Sequence, residues 1–250
     1  MPHFDSAGID IAYLDEGAGD PVLLIHGFAS NKEINWVGPS WLKTLTEASY
    51  RVIAFDHRGH GASGKVYDPA LYHTARMAED ARRLLSHLGI ERADVIGYSM
   101  GARVGAFSAL LFPEMVRSLV MGGLGIHLVD GVGLPQSIAD AMEAPSLDAV
   151  EDPMGRMFRA FADANKQDLR ALAACIRGSR QVLTREEVAR IFQPVLVAVG
   201  TRDTVAGDPR PLAELLPDGE VLDIPNRDHN PAVGDKVFKQ GVLDFLKRRP

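Results

Sequence analysis

Gly97-Tyr98-Ser99-Met100-Gly101 sets a serine between two glycines. The residues before it, Ala93-Asp94-Val95-Ile96, read as the end of an apolar strand, and Ala102 to Phe112 read as a helix. A serine hydroxyl is a poor nucleophile until an adjacent base takes its proton. A tight strand-to-helix turn holds such a hydroxyl beyond the carboxyl end of a sheet. The helix start behind it offers free N–H groups and a partial positive charge. The chemistry that this stretch can support is attack on a carbonyl carbon, provided that a base and an acid stand nearby.

In open parallel sheets, functional groups collect beyond the carboxyl ends of the strands. His26-Gly27-Phe28, Ser99, Asp203 and His229 each follow an apolar run that reads as a strand. The chain order is therefore serine, acid, histidine. Each assignment has a rival. Asp208 also follows the strand before Asp203, but with Pro209 behind it, it reads better as a helix N-cap. Asp228 adjoins His229, and adjacent side chains rarely pair in the required way. His26, His57 and His60 lie in glycine-bearing turns, where structural hydrogen bonding is the plainer role. His26 also remains a candidate for the substrate pocket, and His127 could reach substrate. Cys175 carries no motif and reads as packing.

The elements that position these residues alternate. Phe4 to Leu14 has the pattern of a hairpin turning at Gly8. Val22–Ile25, Arg51–Phe55, Val116–Met121, Val195–Val199 and Glu220–Ile224 are short apolar runs of the kind found in buried strands. Helices are expected at Trp41–Ala48, at Met77–Leu88 with Gly89 as its cap, and after Asp208. A last helix starts at Asn230-Pro231, and Pro113 ends the helix that follows Ser99. Alternating strands and helices argue for a parallel sheet covered on both faces. Between about Gly125 and Ile191 the strands stop, and helices are expected at Gln136–Glu143, Met154–Ala164, Leu169–Ile176 and Arg185–Phe192. Thr184 and Glu187 form a capping box for the last of these. Met154, Met157, Phe158 and Phe161 make an apolar stripe that packs the insertion down and is a candidate wall of a substrate pocket.

On His26-Gly27-Phe28, Asp56-His57-Arg58-Gly59-His60-Gly61, the serine pentapeptide, Gly200-Thr201-Arg202-Asp203 and Asp228-His229, nearly the whole chain resembles the α/β-hydrolase family. The resemblance implies an α/β fold with a mostly parallel central sheet flanked by helices. A core domain of residues 1–124 and 192–250 would carry a small helical cap of residues 125–191. It implies Ser99 as nucleophile, His229 as general base and acid, and Asp203 as the group that orients the imidazole. The backbone N–H groups of Phe28 and Met100 would form the oxyanion hole. A serine rather than an aspartate at the nucleophile position argues against the dehalogenase and epoxide hydrolase branches. The expected activity is cleavage of a small-molecule carboxylic ester through an acyl-enzyme. A lactonase, a carbon–carbon bond hydrolase or a cofactor-free perhydrolase would use the same triad, and a slow small-molecule receptor would leave the same sequence trace.

Composition bounds the rest. The chain has 250 residues, 46% of them hydrophobic, enough for one substantial core. The net charge of -6 comes from interspersed acids and bases, and no basic stripe suggests nucleic acid. Lys247-Arg248-Arg249 reads as a basic helix end. No cysteine or histidine cluster has metal spacing and no phosphate loop is present, so neither a metal nor a cofactor is expected. The single cysteine, the absence of a signal-like start and the absence of a membrane-length apolar run lead to a cytoplasmic expectation with no membrane partner. Oligomeric state is not readable.

Overall fold

The apolar runs form strands whose side chains alternate between two buried faces. In chain order the strands are β1 (His3–Ser6), β2 (Ile9–Glu16), β3 (Asp20–Ile25), β4 (Tyr50–Phe55), β5 (Ala93–Tyr98), β6 (Val116–Gly122), β7 (Val195–Gly200) and β8 (Gly219–Ile224). The computed structural model describes residues 1–131 and 134–249. Among these the strands form one sheet in the order β1-β2-β4-β3-β5-β6-β7-β8. The β1–β2 and β2–β4 pairs are antiparallel and all the others are parallel. This is the α/β-hydrolase fold that the sequence led us to expect.

The helices are α1 (Trp41–Glu47), α2 (Thr74–His87), α3 (Met100–Leu111), α4 (Ser137–Glu143), α5 (Pro153–Ala164), α6 (Leu169–Gly178), α7 (Arg185–Val188), α8 (Pro209–Leu215), α9 (His229–Ala232) and α10 (Lys236–Arg248). Leu23, Ile25, Ile53, Phe55 and Val95 point to the face covered by α2, α3 and α8. Their alternates Val22, Leu24, Val52, Ala54 and Ile96 point to the face covered by α1 and α10. A strand buried on both faces needs this two-sided apolar pattern.

Helices α4 to α7 lie between β6 and β7 in the chain. Their buried side chains, among them Ile138, Phe158, Leu172 and Val188, belong to the same continuous cluster as the α2/α3 face of the sheet. Among the described residues no helix is long and apolar enough to cross a membrane.

Three local readings differ from expectation. Helix α7 stops at Val188, although its Thr184/Glu187 capping box forms; Phe192, expected within it, is 74% exposed. The final helix is two helices. Asp235, not Asn230, caps the long one by accepting the Val237 N–H at 2.7 Å, so the chain turns through Val233 and Gly234 between them. A single wide helical turn at Glu33–Val37 has no counterpart among the expected elements; it buries Asn35 and Trp36 beside the loop after β3.

Two buried ion pairs pin the loops around the sheet's carboxyl edge. Asp56 accepts from Lys32 Nζ at 2.7 Å and from the backbone N–H groups of Lys32 and Ala62, joining the turns after β3 and β4. Arg58 reaches Asp80 on α2 with two bonds of 2.7 Å, both side chains buried. At the other end of the sheet, Arg249 binds Asp94 at 2.6 Å and Asp20 at 2.8 Å, a role that the dipole reading of the basic end does not include. A buried charge needs such a partner, because removing one side strands the other in a low-dielectric interior.

Candidate active site

Ser99 occupies the turn between β5 and α3, with φ 54° and ψ −114°. A non-glycine residue at positive φ stores about 1–3 kcal/mol of strain, which the surroundings must hold. Here the Ser99 N–H donates to the Gly122 carbonyl at 2.7 Å, and its own carbonyl accepts from Ala102 and Arg103 in the first turn of α3. The flanking glycines are steric requirements. A Cβ on Gly97 would strike the Gly101 backbone, and one on Gly101 would strike the carbonyl oxygens of Ile25 and His26. The serine side chain makes no capping bond to the helix, so its hydroxyl is left for another partner.

That partner is His229, whose Nε2 lies 3.0 Å from Ser99 Oγ. Its Nδ1 lies 2.7 Å from Asp203 Oδ2. The other Asp203 oxygen accepts the backbone N–H groups of Val205 at 2.8 Å and Ala206 at 3.0 Å, which fixes the carboxyl plane. Since the carboxylate accepts, Nδ1 carries the proton and Nε2 presents a lone pair to the serine. The Tyr98 hydroxyl donates to the His229 carbonyl from below. Burial, reinforced by the nearby Asp203 charge, pushes the phenol well above its ordinary pKa, so it stays a donor.

The rival acids lie elsewhere. Asp208 caps α8, accepting the Arg210 N–H at 3.0 Å. Asp228 sits at the N-cap position of α9 and makes no side-chain cap bond. His127 turns away, its Nδ1 bonded to the Val205 carbonyl at 2.8 Å. Cys175 is buried with its Sγ 3.7 Å from Met100 Sδ, and burial pushes its thiol up to about 12.

Two cavities meet at Ser99. One, of about 250 Å³, runs under α5 and is lined by Phe28, Asn35, Phe158, Phe161 and His229. The second, a narrow one of about 30 Å³, passes between α3 and α6 and is lined by Met100, Leu124, Ile176, Arg103 and Arg180. The expected apolar stripe is split. Phe158 and Phe161 face the first cavity, whereas Met154 and Met157 line a separate open groove on the outer side of His229.

His26 must be corrected. It is fully buried and lines neither cavity; its Nδ1–H donates to the Gly27 carbonyl at 2.8 Å, and its Nε2 accepts the His57 N–H at 2.9 Å. Its ring therefore joins the two loops that flank the serine. His57 and His60 pack beside it, 4.6 and 5.3 Å between ring centroids. Burial holds His26 down to about 4, His60 to about 3, and His57 well below its ordinary value. In the unfolded chain each binds a proton near pH 6.5. Their contribution to stability is therefore complete above pH 6.5 and is lost as the pH falls towards 4. Each histidine adds up to about 1.4 kcal/mol per pH unit in that window. Thermal unfolding followed by circular dichroism should show a melting temperature that drops faster below pH 6.5 than above it. A His60→Asn variant should lose part of that slope; an unchanged slope would refute the assignment.

Three side chains of the site lie outside the expected set. Asn35 accepts the Gly27 N–H at 3.0 Å and lines the first cavity. Tyr98 supports the histidine. Arg103 does leave a signal: four residues after Ser99, it is the one charged residue in α3, whose neighbours are apolar or small.

The comparisons agree with this architecture. The model of the alpha/beta hydrolase fold matches residues 20–143. A Mycobacterium tuberculosis protein that carries the name non-heme bromoperoxidase is 31% identical over 247 residues, covering 88% of this chain and 91% of that one. The chain belongs to the α/β-hydrolase family. Another member, the non-heme chloroperoxidase CPO-A1 of Kitasatospora aureofaciens, is 27% identical over 96% of this chain and 97% of its own length. A solved hydrolase of Pseudomonas aeruginosa superposes with a TM-score of 0.82 at 26% identity, covering 98% of this chain and 97% of that one. An enol-lactonase of Burkholderia xenovorans shares the α/β-hydrolase fold at 22% identity and a TM-score of 0.80, over 99% and 100% of the two chains.

Proposed function

We propose that this α/β-hydrolase is a serine esterase that cleaves small carboxylic esters through an acyl-enzyme. The observation that carries the reading is the Ser99–His229–Asp203 relay, with 3.0 and 2.7 Å links, at the junction of two cavities. Ser99 Oγ attacks the ester carbon while its proton passes to His229 Nε2. The resulting oxyanion is held by backbone N–H groups of Phe28 and Met100. The Met100 N–H is one of the donors that a helix start leaves unpaired, and the Phe28 N–H has no protein acceptor among the described residues. Collapse of the intermediate breaks the ester C–O bond, and the alcohol leaves with the proton from His229. Water then attacks the acyl-enzyme, His229 takes its proton, and the acid departs as Ser99 is restored. Residues 125–191 act as the cap, and Phe158 and Phe161 favour a small or medium apolar group in the first cavity.

The test is an ester panel with p-nitrophenyl acetate, butyrate, hexanoate and decanoate, run beside labelling by a fluorophosphonate probe. Turnover should peak at short to medium chains, and the probe should label the protein. Absence of both refutes the reading.

A second reading, perhydrolysis, is favoured by the haloperoxidase names of several relatives. Hydrogen peroxide replaces water on the same acyl-enzyme and releases a peracid. Bromide oxidation in acetate buffer with peroxide would report it.

A further inference from the structure

We propose that the second cavity at Ser99 binds a carboxylate carried by the substrate, held by Arg103 and Arg180. This rests on the esterase reading above and adds the substrate class. Arg103 is 4% exposed and sits one helical turn beyond Ser99 on α3. Arg180 follows α6 and is half-buried. Both line the cavity that opens at Ser99.

What sets the pair apart is the company it keeps. Arg103 donates to the carbonyls of His127 at 2.6 Å, Gln181 at 2.9 Å and, less closely, Leu128 at 3.4 Å. Arg180 donates to the carbonyl of Leu134 at 2.9 Å. All of these acceptors are neutral. Other guanidinium groups of this protein that are buried or partly buried meet carboxylates: Arg58 meets Asp80, Arg159 meets Asp163 and Arg249 meets Asp94. Among the described residues neither Arg103 nor Arg180 forms an ion pair. Two cations have been brought together instead: burial and the Arg180 charge lower Arg103 to about 10, still protonated at neutral pH. A buried charge is tolerated when it is paired. The missing partner here is an anion that arrives through the cavity. The walls between Ser99 and the guanidinium groups are apolar, formed by Leu124, Leu134, Ile176 and Val205. They suit a short hydrocarbon spacer between the scissile carbonyl and the carboxylate.

The carboxylate could sit on the acyl side or on the alcohol side of the ester, and matched pairs of esters distinguish the two. The acyl pair is p-nitrophenyl hemiglutarate against p-nitrophenyl pentanoate. The alcohol pair is 4-(butyryloxy)benzoate against phenyl butyrate. In the wild type, kcat/KM for the anionic member should exceed its neutral counterpart by about tenfold or more in one pair, the effect of one charge-assisted contact. In Arg180→Gln that ratio should fall by about tenfold, and Arg180→Lys should restore part of it. A ratio taken within one preparation cancels the folded fraction. Ratios near one in both pairs, or ratios indifferent to Arg180→Gln, overturn the proposal even where the esters are turned over.

Calorimetric titration with glutarate and with 4-hydroxybenzoate separates the two levels. Suppose the fluorophosphonate probe fails to label the protein, yet one of these anions binds the wild type and binds Arg180→Gln about tenfold more weakly. The anion site then stands and the esterase reading falls. Normal labelling with no anion binding and no ester preference leaves the esterase and removes the site.

Discussion

Ser99→Ala is expected to abolish fluorophosphonate labelling and to lower kcat on the best ester by a factor on the order of 10⁶. Because Ser99 Oγ makes no capping bond to α3, its loss removes only the bond to His229, and the melting temperature should stay close to that of the wild type. His229→Ala should fall about as far. The double variant should be no worse than either single one, since members of a relay that act as a unit are strongly non-additive. Steady-state kinetics on all three, with thermal melts to verify folding, would check this. If the double variant showed the product of the two single losses, the two residues would not act in one step. Ser99→Gly serves as a control on the backbone. It would be equally inactive but more stable by about 1 kcal/mol, because glycine accepts φ 54° without strain.

The second large effect concerns the acid. In Asp203→Asn the two backbone N–H groups of Val205 and Ala206 still need an acceptor, and only the amide oxygen can serve. The amide NH2 is then turned towards His229 Nδ1, which must accept rather than donate. The imidazole proton moves to Nε2 and faces Ser99 Oγ, so the base has no lone pair to offer. A loss of about 10⁴ in kcat is expected, with KM little changed. A nitrogen-detected NMR spectrum of the labelled imidazole would show the tautomer directly. If Asp203→Asn retained more than about a tenth of the activity, orientation of the histidine would not be the work of Asp203.

Much of this site is legible in the order of residues alone, for a geometric reason. A buried parallel strand is a short apolar run, and its carboxyl end is where the run stops. Ser99, Asp203 and His229 each stand one to five residues past such an end, so the sheet brings them to one edge. The side chains that line the cavities are harder to place. Met154, Met157, Phe158 and Phe161 fall within one sector of α5, but the sector straddles His229. Phe158 is 5% exposed and faces the serine side, whereas Met157, at the sector's edge, is 42% exposed on the other. Helical spacing tells which residues share a stripe, not where the rim of a neighbouring loop divides it. Asn35 lies in a wide turn with no periodic signal. His26 shows the opposite failure: its residue type suggests the pocket, but bonds to backbone groups at both ring nitrogens make it a brace.

The continuous core beneath α4 to α7 constrains how such an enzyme could diversify. Ile138, Phe158, Leu172 and Val188 pack in the same cluster as Leu23, Ile53 and Val95 of the sheet. Residues 125–191 are therefore not a detachable module to be exchanged wholesale for a relative's. A transplanted segment would leave voids or overlaps along a shared seam, each costing on the order of 1–3 kcal/mol. New substrate ranges are reached more readily by point changes on the cavity side of the segment, where side chains face space rather than the sheet. The same seam leads us to expect a single melting transition for sheet and insertion, and it leaves the lining of the entrance as the part that can change with least disturbance to the architecture around it.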